Sequence, residues 1–486
     1  MDAEAIVPAR ADAMLGCSII PQEPLAHAPS WGDVTAIPLR TQSPADRLQS
    51  LADAGTLTDV GDALSRARPS PHLARWGIEA HADDGVVACR AHVLGRRVLM
   101  AAQDERFLRG AVGEEHGRAL GRLLQVARSE RPAAVVLLMA SGGVRLHEAN
   151  AGEVALAFAL RALLDARASG IPVLALAVRD VFGGASVLAS AATAVAMLPG
   201  ARLGVSGPKV IATVRGTREL DPEDRDAVER LFGRDARAAS GVASTLPDET
   251  AAIRAWIAGH AQAHPDFAKQ VLATHDTLRR RIASSPGASL EWAPLPPGWR
   301  AAGVWHGDAP LWHRDDGLWV LAAAGERALS PRALHALDDA LLASGLLRAS
   351  TQQTLVLLED SLGHEASVAA ERAGLAAFLA HHASVLALLR HAGVRVRALL
   401  CGTGHSAAFF AGALQAPVLH ALEHARVVAM ETPALARVTG LSPDVLAELV
   451  ERDPVLGHTA HAFAQCGAVA RMHRTADASA LAALLA

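Results

Sequence analysis

The amino-acid sequence predicts an α/β protein in which two similar units follow one another in one chain. Two features lead to this fold class. Fully apolar runs, AAVVLLMA at 133–140 and IPVLALAV at 171–178, are typical of strands covered on both faces, as in parallel sheets. Each run is followed by a glycine turn and a segment with leucine or alanine at helical spacing, and this order recurs in the last third of the chain.

The elements of the first unit follow from local signals. Residues 1–40 contain proline and glycine without sustained periodicity, which predicts an irregular N-terminal arm. Ser43, followed by proline, predicts the cap of a short helix, and Gly95 marks the turn of a hairpin within 85–103. The predicted order then continues with strand 133–140, helix 152–170, strand 171–178, a small-residue helix opened by FGG, and a strand with a glycine turn at 195–208.

The second unit repeats this order. TLVLLED ends a strand at Asp360, a long helix reaches His391, and VRVRALLCGTG, HSAAFFAGALQ and EHARVVAMETP supply the next strand, a small-residue helix and a closing strand. The spacing from Val135 to Val173 is similar to that from Leu355 to Val396, which indicates duplication of a unit of about 200 residues. The predicted organisation is the arm at 1–40, a domain at 41–283, a proline-rich linker at 284–312 and a domain at 313–486.

Composition excludes several classes of function. The chain has 486 residues, is 51% hydrophobic and carries a formal net charge of −4 with both signs scattered, so neither nucleic acid nor a lipid surface is an expected partner. The first residues do not read as a signal peptide, and no apolar run approaches the roughly 20 residues of a membrane span. A cytoplasmic protein without a membrane span is therefore expected. Four dispersed cysteines indicate neither a disulfide framework nor a zinc ribbon.

The available catalytic groups are also restricted. The chain has no tyrosine, and its only lysines are Lys209 and Lys269. A tyrosine acid is thereby excluded, and a Schiff base has two possible positions. The sequence contains neither GxxxxGK[ST] nor a strand-linked GxGxxG, so nucleotide-driven chemistry is not expected.

Two glycine turns of the first unit are candidate catalytic elements. SGG follows strand 133–140, and FGG follows strand 171–178 and opens a helix. Neighbouring turns of this kind can aim backbone N–H groups at one point in space, which is the arrangement of an oxyanion hole. The alternative is that these glycines only let strands turn sharply into helices.

Several segments carry a resemblance to a known family. SGGVRLHEANAG, FGGASVLAS and ARLGVSGP resemble the beta subunit of biotin-independent malonate decarboxylase, and SGG-R-x-x-E is similar to acyl-CoA carboxyltransferases of the crotonase superfamily. PALARVTGLSPDVLAEL in the last third resembles the gamma subunit of the same enzyme. The resemblance implies a natural beta–gamma fusion with two crotonase-like (ClpP/crotonase) domains of ββα repeats.

The resemblance also implies the chemistry. A malonyl group, carried as a thioester on the prosthetic group of an acyl carrier protein or on coenzyme A, loses CO2 and leaves an acetyl thioester through an enolate. The implied partners are an acyl carrier protein subunit and an acyl carrier protein transferase (alpha) subunit, with neither metal, biotin nor another bound cofactor. An enolate needs N–H donors and a dry pocket rather than a strong base, which suits this composition.

The resemblance implies that the N–H donors come from Gly143 or Val144 and from Gly183 or Gly184. Alanine at Gly184 is expected to put a methyl group where the substrate approaches and so to raise the apparent KM. By resemblance, the further substrate-binding residues are Gly142, Arg145, Glu148, Glu115 and His116 and, in the second unit, Gly363, His364, Ser406 and Ala407.

Two of these assignments have alternatives. Arg145 and Glu148 are expected to pair and hold the first glycine turn, although Arg145 has the reach for a substrate carboxylate. The VGEEHG stretch that contains Glu115 and His116 also reads as a capped surface turn.

Three other functions stay open. An acyl-CoA carboxyltransferase component would carry the same motifs, and a binding subunit without activity would still dock an acyl carrier. GHSAA at 404–408 resembles the GxSxG turn of hydrolases and acyltransferases, with Ser406 as the nucleophile. The histidine pairs 420/424 and 458/461 have metal-ligand spacing, but 22 histidines produce such pairs by chance, so no metal site is expected.

Overall fold

The computed structural model describes residues 37–60, 68–261, 266–283, 292–323, 325, 328–348 and 352–486. Residues 1–36 of the predicted arm and 284–291 of the predicted linker lie outside the described residues. Pro38–Ala486 form one compact unit that contains two large sheets. The predicted α/β fold class is confirmed.

The first sheet has the strand order β1-β2-β3-β4-β5-β6-β8, and β7 pairs with the end of β5. The predicted hairpin is β2 and β3, and the strands from β3 to β8 are parallel, so the apolar runs lie in the covered centre. The strands are β1 (Thr58–Asp59), β2 (Val86–Val93), β3 (Arg96–Gln103), β4 (Ala134–Ser141), β5 (Val173–Phe182), β6 (Ala194–Met197), β7 (Leu203–Gly204) and β8 (Ser244–Thr245).

Helices cover this sheet on both faces. Ser43 caps the first of them as predicted, because its hydroxyl accepts the N–H of Asp46 and proline follows it. The helices are α1 (Pro44–Leu51), α2 (Glu114–Glu130), α3 (Ala149–Ala168), α4 (Gly184–Ser190), α5 (Pro208–Arg215), α6 (Arg225–Phe232), α7 (Arg234–Ala239), α8 (Thr250–His260) and α9 (Phe267–Ile282).

The second sheet has the order β17-β15-β13-β12-β11-β10-β9, with β14 and β16 paired separately. Its strands are β9 (His306–Asp308), β10 (Leu311–His313), β11 (Leu318–Ala322), β12 (Thr354–Glu359), β13 (Arg395–Leu400), β14 (Thr403–His405), β15 (Val418–Leu422), β16 (Arg426–Val428) and β17 (Arg471–His473). β9 and β10 fall almost entirely within the stretch predicted as linker 284–312. Strands of three residues are too short to show the alternation that identifies a strand in sequence.

The helices of the second half cover its sheet in the same way. They are α10 (Pro297–Arg300), α11 (Pro331–Ala343), α12 (Val368–Ala373), α13 (Leu375–His391), α14 (Ser406–Ala411), α15 (Thr432–Thr439), α16 (Pro443–Arg452), α17 (Ala460–Gln465) and α18 (Ala478–Leu485). Among the described helices, none combines the length and the apolar character needed to cross a membrane.

The duplication predicted from spacing is present in the register of the strands. Val135 pairs with Val173 across β4 and β5, and Leu355 pairs with Val396 across β12 and β13. Beyond these pairs, β7 lies against Val181 and Phe182, just as β16 lies against Gly404 and His405. The two halves therefore place equivalent turns at equivalent ends of their sheets.

The helices α3, α4 and α9 of the first half pack against the second half, and α3 is enclosed between the two. This helix contacts α2 on its own side and α13 and α14 of the second half, and most of its residues are buried. The alanine and leucine residues of α3 are buried on most sides, as expected of a helix enclosed between two layers. Polar contacts flank the packing: Asp165 accepts from Arg390 at 2.9 Å, and the Asn150 amide donates to the carbonyls of Pro454 and Gly457.

Glu371 of α12 joins the second half to the turn after β7. One carboxylate oxygen accepts the N–H groups of Val205 and Ser206 at 3.0 and 2.7 Å, and the other lies 3.4 Å from the Arg237 guanidinium. The Glu371 and Arg237 side chains are only 1% and 3% exposed. This carboxylate thus fixes the position of the Val205–Ser206 turn relative to the second half.

Replacing Glu371 with alanine is expected to destabilise the protein by roughly 3 kcal/mol, because the buried Arg237 and two N–H groups lose their acceptor. Thermal unfolding measures the effect. Glu365→Ala is the control: Glu365 lies 3.8 Å from Arg215 near the surface, and its loss should cost about 1 kcal/mol or less. Equal losses in the two variants would contradict the role assigned to Glu371.

Candidate active site

The two glycine turns of the first half touch through their backbones. Gly143 has a φ of +105°, and Gly183, the residue before α4, has a φ of +60°. A Cβ placed on Gly183 would lie 3.0 Å from the Gly143 Cα, and one on Gly143 would lie 3.3 Å from the Gly183 Cα. Glycine is needed at both positions, since any side chain would separate the turns.

Hydrogen bonding divides the four predicted donors into two groups. The Gly143 N–H donates to Ser141 Oγ at 3.3 Å, and the Gly183 N–H donates to the Val205 carbonyl at 3.1 Å. Within the described residues, the N–H groups of Val144 and Gly184 have no protein acceptor. The Val144 nitrogen lies 4.0 Å from a Cβ placed on Gly183, so it is adjacent to the second turn. Val144 and Gly184 are therefore the two free donors.

Arg145 holds the first turn from behind. One of its nitrogens donates to Asp84 and to Glu148, each at 2.7 Å, and all three residues are at most 1% exposed. Glu148 also accepts from the N–H of Glu114 at 2.8 Å and from the Ser70 hydroxyl at 2.8 Å. The expected Arg145–Glu148 pair is present. With two buried carboxylates against it, Arg145 is not placed to bind a substrate carboxylate.

His116 extends this network to the end of β4. Its Nδ1 contacts the Asp84 carbonyl at 3.1 Å and its Nε2 contacts the Gln103 amide nitrogen at 3.0 Å, while Gln103 Oε1 accepts the N–H of Ala140. Burial lowers the pKa of His116 to about 3, which keeps the ring neutral with one donating and one accepting nitrogen. Burial likewise raises the pKa of Asp84 to about 6, against the opposing effect of Arg145.

His116, Glu115 and Gly142, which were predicted to bind substrate, are instead engaged by other protein groups. Both ring nitrogens of His116 are engaged by protein, and Glu115 is ion-paired with Arg118 and Arg122 at 3.2 and 3.4 Å. Gly142 is exposed, and its N–H donates to the Arg109 carbonyl at 2.9 Å. The network therefore holds the first turn in place.

The second half repeats the paired turns. The Leu329 N–H donates to the Gly363 carbonyl and the Glu365 N–H to the Leu329 carbonyl, as Val112 does with Gly143 and Arg145 in the first half. Gly363 has a φ of +83° and a Cβ on it would lie 2.9 Å from the His405 carbonyl. The strand registers make His364 equivalent to Val144, Ser406 to Gly183 and Ala407 to Gly184.

In the second pair of turns, polar side chains bond to one another. The first pair has only valine and glycine at the equivalent positions. Ser406 Oγ lies 3.0 Å from His364 Nδ1, and His364 Nε2 lies 3.1 Å from Ser206 Oγ of the first half. Burial, followed by the nearby His405, lowers the pKa of His364 to about 3, so the ring is neutral. Ser406 has a φ of +45°, a conformation that a non-glycine residue rarely adopts.

Asp84, Gln103 and Ser206 were not predicted from the sequence. Each stands in an ordinary turn or strand segment, and its role arises from contacts across 61, 37 and 158 residues of chain with Arg145, Ala140 and His364. The left-handed φ of +47° at Asp84 is likewise visible only in the structure.

One group in the described part of the chain has ligand atoms close enough to hold a metal ion, namely His275, His335 and Asp339. Hydrogen bonds already engage it: His275 Nδ1 contacts His381, His275 Nε2 contacts Asp339 at 3.2 Å, and Arg279 donates to that same Asp339 oxygen at 2.9 Å. The histidine pairs considered from sequence are not part of this group. His420 contacts His473 at 3.0 Å instead of His424.

Comparison with known families identifies both halves. Residues 44–286, half of the chain, match the carboxyl transferase domain, and residues 333–486 match the malonate decarboxylase gamma subunit. A Pseudomonas malonate decarboxylase hetero-tetramer, solved in complex with malonate, contains a chain with 31% identity that covers 53% of this chain and 95% of its own length, with a TM-score of 0.46.

Two curated relatives each match part of the chain. Malonyl-S-ACP:biotin-protein carboxyltransferase MADC of Malonomonas rubra is 33% identical over 204 residues, which are 39% of this chain and 64% of the relative. Acetyl-coenzyme A carboxylase carboxyl transferase subunits beta/alpha of Salinispora tropica is 32% identical over 205 residues, which are 40% of this chain and 35% of the relative. The chain thus spans less than two thirds of either relative.

Gly183→Ala tests whether backbone contact sets the geometry of the turns. It is expected to lower the free energy of unfolding by about 1–2 kcal/mol more than Gly95→Ala does. Both glycines have positive φ, but only a Cβ at position 183 meets backbone atoms. Gly95, in the β2–β3 hairpin, has nothing within 4 Å of a Cβ. Chemical denaturation measures both variants, and equal losses would show that the turns do not depend on close approach.

Proposed function

The chain belongs to the carboxyl transferase family, and we propose that it decarboxylates a malonyl thioester to the acetyl thioester and CO2. The resemblance to malonate decarboxylase is confirmed in both halves by the matches to the carboxyl transferase domain and to the gamma subunit. The family match does not distinguish decarboxylation from transfer of the carboxyl group to an acceptor. The site supports the decarboxylase assignment through its composition and its two free donors.

The observation that carries the proposal is the pair of free N–H groups of Val144 and Gly184. They extend from turns in direct contact, and protein acceptors occupy the N–H groups of Gly143 and Gly183. When the bond to the departing carboxylate breaks, its electron pair moves into the thioester and places negative charge on the thioester oxygen. Two fixed donors stabilise that charge without reorganisation, which is how an oxyanion hole lowers the barrier.

The rest of the turn region fits this role. Arg145 is neutralised by Asp84 and Glu148, so no unpaired arginine in the first turn holds the malonyl carboxylate in its charged state. A carboxylate that leaves as neutral CO2 is favoured by weak solvation, because desolvation raises the energy of the charged ground state. We assign Arg145, Glu148, Glu115 and His116 to support of the turn, and Val144 and Gly184 to substrate contact.

The carrier of the malonyl group is inferred from the relatives. The Malonomonas relative is named for a malonyl-S-ACP substrate, and the Pseudomonas structure is a hetero-tetramer. We infer that this chain receives malonyl on an acyl carrier protein subunit loaded by an acyl carrier protein transferase, with malonyl-coenzyme A as the alternative carrier. Action in the cytoplasm, without biotin or metal, is part of the same proposal.

Gly184→Pro is expected to lower the kcat for CO2 release from malonyl thioester by about two orders of magnitude, because proline removes the N–H donor. Proline is tolerated at the first position of a helix, and Gly184 has no positive φ. Turnover is measured with malonyl on acyl carrier protein and on coenzyme A. EDTA and avidin are expected to leave the rate unchanged.

Gly184→Ala is the matched control for this substitution. A Cβ at this position would lie 2.6 Å from Leu156 Cδ2, so the methyl group meets α3, and we now expect little rise in KM. Both variants disturb Leu156, and only proline deletes the donor. A folded Gly184→Pro protein with the turnover of Gly184→Ala would show that the oxyanion hole lies elsewhere.

A second candidate function is acyl transfer or hydrolysis through Ser406. The observation in its favour is the 3.0 Å contact between Ser406 Oγ and His364, at a residue with positive φ between a strand and a helix. The group on the far side of His364 from Ser406 is Ser206 rather than a carboxylate. His364 is also neutral with a low pKa, so it is a weak base.

A fluorophosphonate probe is expected to leave Ser406 unlabelled, because an unassisted serine hydroxyl is a poor nucleophile. Mass spectrometry of the peptide that contains Ser406 detects the adduct, and Ser406→Ala supplies the blank. Stoichiometric labelling of Ser406 that disappears in His364→Ala would favour the acyltransferase or hydrolase function.

A further inference from the structure

The enolate formed by loss of CO2 must take up a proton, and the residues around the two pairs of turns do not supply one. The C–C bond to the carboxylate breaks, CO2 leaves, and C2 of the remaining enolate accepts a proton to give the acetyl thioester. Each turnover therefore consumes one proton. His116 and His364 are neutral rings with low pKa values and are poor donors at neutral pH.

Glu153 on the first turns of α3 is a buried carboxyl group with an unpaired oxygen. The residue is 2% exposed, and within the described residues its Oε2 is fully buried and has no hydrogen-bond partner. A buried polar group left unpaired costs about 1–3 kcal/mol, and a charged one costs more. Such a group in a native protein calls for an explanation, and a catalytic role is one that suits a buried carboxyl group.

The position of Glu153 relates it to both free donors. Its neighbour Gly152 packs on the first turn, where a Cβ would lie 3.2 Å from the Val144 side chain. Leu156, one turn further along α3 and on the same face, is the side chain that meets Gly184. The stretch of α3 that carries Glu153 thus lies against the two residues whose N–H groups would hold the thioester oxygen.

We propose that Glu153 is the proton donor that converts the enolate into the acetyl thioester, an inference that rests on the proposed decarboxylase function. Its carboxyl O–H transfers the proton to C2, and the resulting carboxylate recovers a proton from solvent before the next turnover. No oxidant, reductant or other co-reactant is required.

The surroundings keep this carboxyl protonated at neutral pH. Burial raises the pKa of Glu153 to about 8, and the charge of Glu359 at the end of β12 acts in the same direction. Burial also raises the pKa of Glu359 to about 7, while Ser361 and His382 favour its charged form and Asp360 opposes it. A donor with a pKa near the working pH is the most effective general acid.

Other charges around Glu153 are paired or absent. The helices α4 and α14, which pack on α3, contain no ionisable side chain. The helix α13, which also packs on α3, carries His381 and His382, both beside Asp338, and Arg390 and His391, both paired with Asp165. On α2, Glu114 is paired with His72 and Arg118, Glu115 with Arg118 and Arg122, and His116 is neutral. Glu359 is therefore the ionisable neighbour that controls the titration of Glu153.

The test compares Glu153→Gln with the parental protein in the malonyl thioester assay from pH 6 to pH 10. The parental kcat is expected to fall above pH about 8, where Glu153 ionises. Glu153→Gln is expected to lose at least a hundredfold in kcat with little change in KM, and to lose this alkaline fall, because glutamine has no acidic proton. In Glu359→Gln the alkaline fall in kcat should begin at a lower pH, because the charge that raises the pKa of Glu153 is removed, while much of the activity is kept.

Folding of the variant is checked independently of activity. Because the folded-state pKa of Glu153 lies above its ordinary value of 4.5, the parental protein loses stability as pH rises from 4.5 to about 8, where the unfolded chain ionises first. Glutamine removes this loss, so Glu153→Gln should melt at or above the parental temperature at pH 7.

The outcomes separate the two proposals. If the parental protein turns over malonyl thioester and Glu153→Gln does so at the same rate, the assignment of the proton donor is wrong and the decarboxylase function stands. A slow Glu153→Gln that keeps the alkaline fall would also overturn it, since Glu153 would then act only through structure. Absence of turnover in the parental protein with malonyl on either carrier would overturn the proposed function itself.

Discussion

Contact between the backbones of Gly143 and Gly183 is the constraint on which the rest of the first site depends. The two turns leave neighbouring strands of a parallel sheet, and they can touch only because neither residue has a Cβ. Contact brings the Val144 N–H next to the second turn, while the N–H groups of Gly143 and Gly183 are used within the protein. The proposed oxyanion hole would thus result from close packing at the ends of two strands.

The buried ion network is the second requirement, because a turn that ends in free donors needs support from behind. Arg145, Asp84 and Glu148 form a desolvated cluster whose charges are balanced by one another and by backbone N–H groups. Such a cluster adds little net stability, but removing one member is costly, so it defines a single position for the turn. His116 and Gln103 carry the same network to the last residues of β4.

The two halves show how one backbone geometry can be used differently. Equivalent hydrogen bonds hold Gly143 and Gly363, and equivalent strands pair beside each turn. The first half has Val144 and Gly184 beside its turns, and no polar side chain bonds to their N–H groups. The second half has histidine and serine there, and their side chains bond to one another and to Ser206 of the first half. Duplication therefore produced one open pair of turns and one closed pair that also joins the halves.

The sequence by itself determined the α/β class, the duplication, the helix cap at Ser43, the hairpin turn at Gly95 and the glycine turns. These features depend on residue periodicity, on backbone freedom and on contacts between close neighbours, all of which are visible in a single chain. It also indicated the Arg145–Glu148 pair, because the two residues are three positions apart. It left open which of the four amides are free, since Ser141 and Val205 had first to be placed beside Gly143 and Gly183.

Only the tertiary structure decided the remaining features. Asp84, Gln103, Ser206 and Glu371 acquire their roles from partners far away in sequence, and the direction of the methyl group at Gly184 depends on Leu156 of a different helix. The ionisation of Glu153 is likewise a property of its surroundings, because burial and the charge of Glu359 raise its pKa. Local chemistry specifies turns and helices, whereas hydrogen-bond partners and desolvation are set by residues that folding brings together.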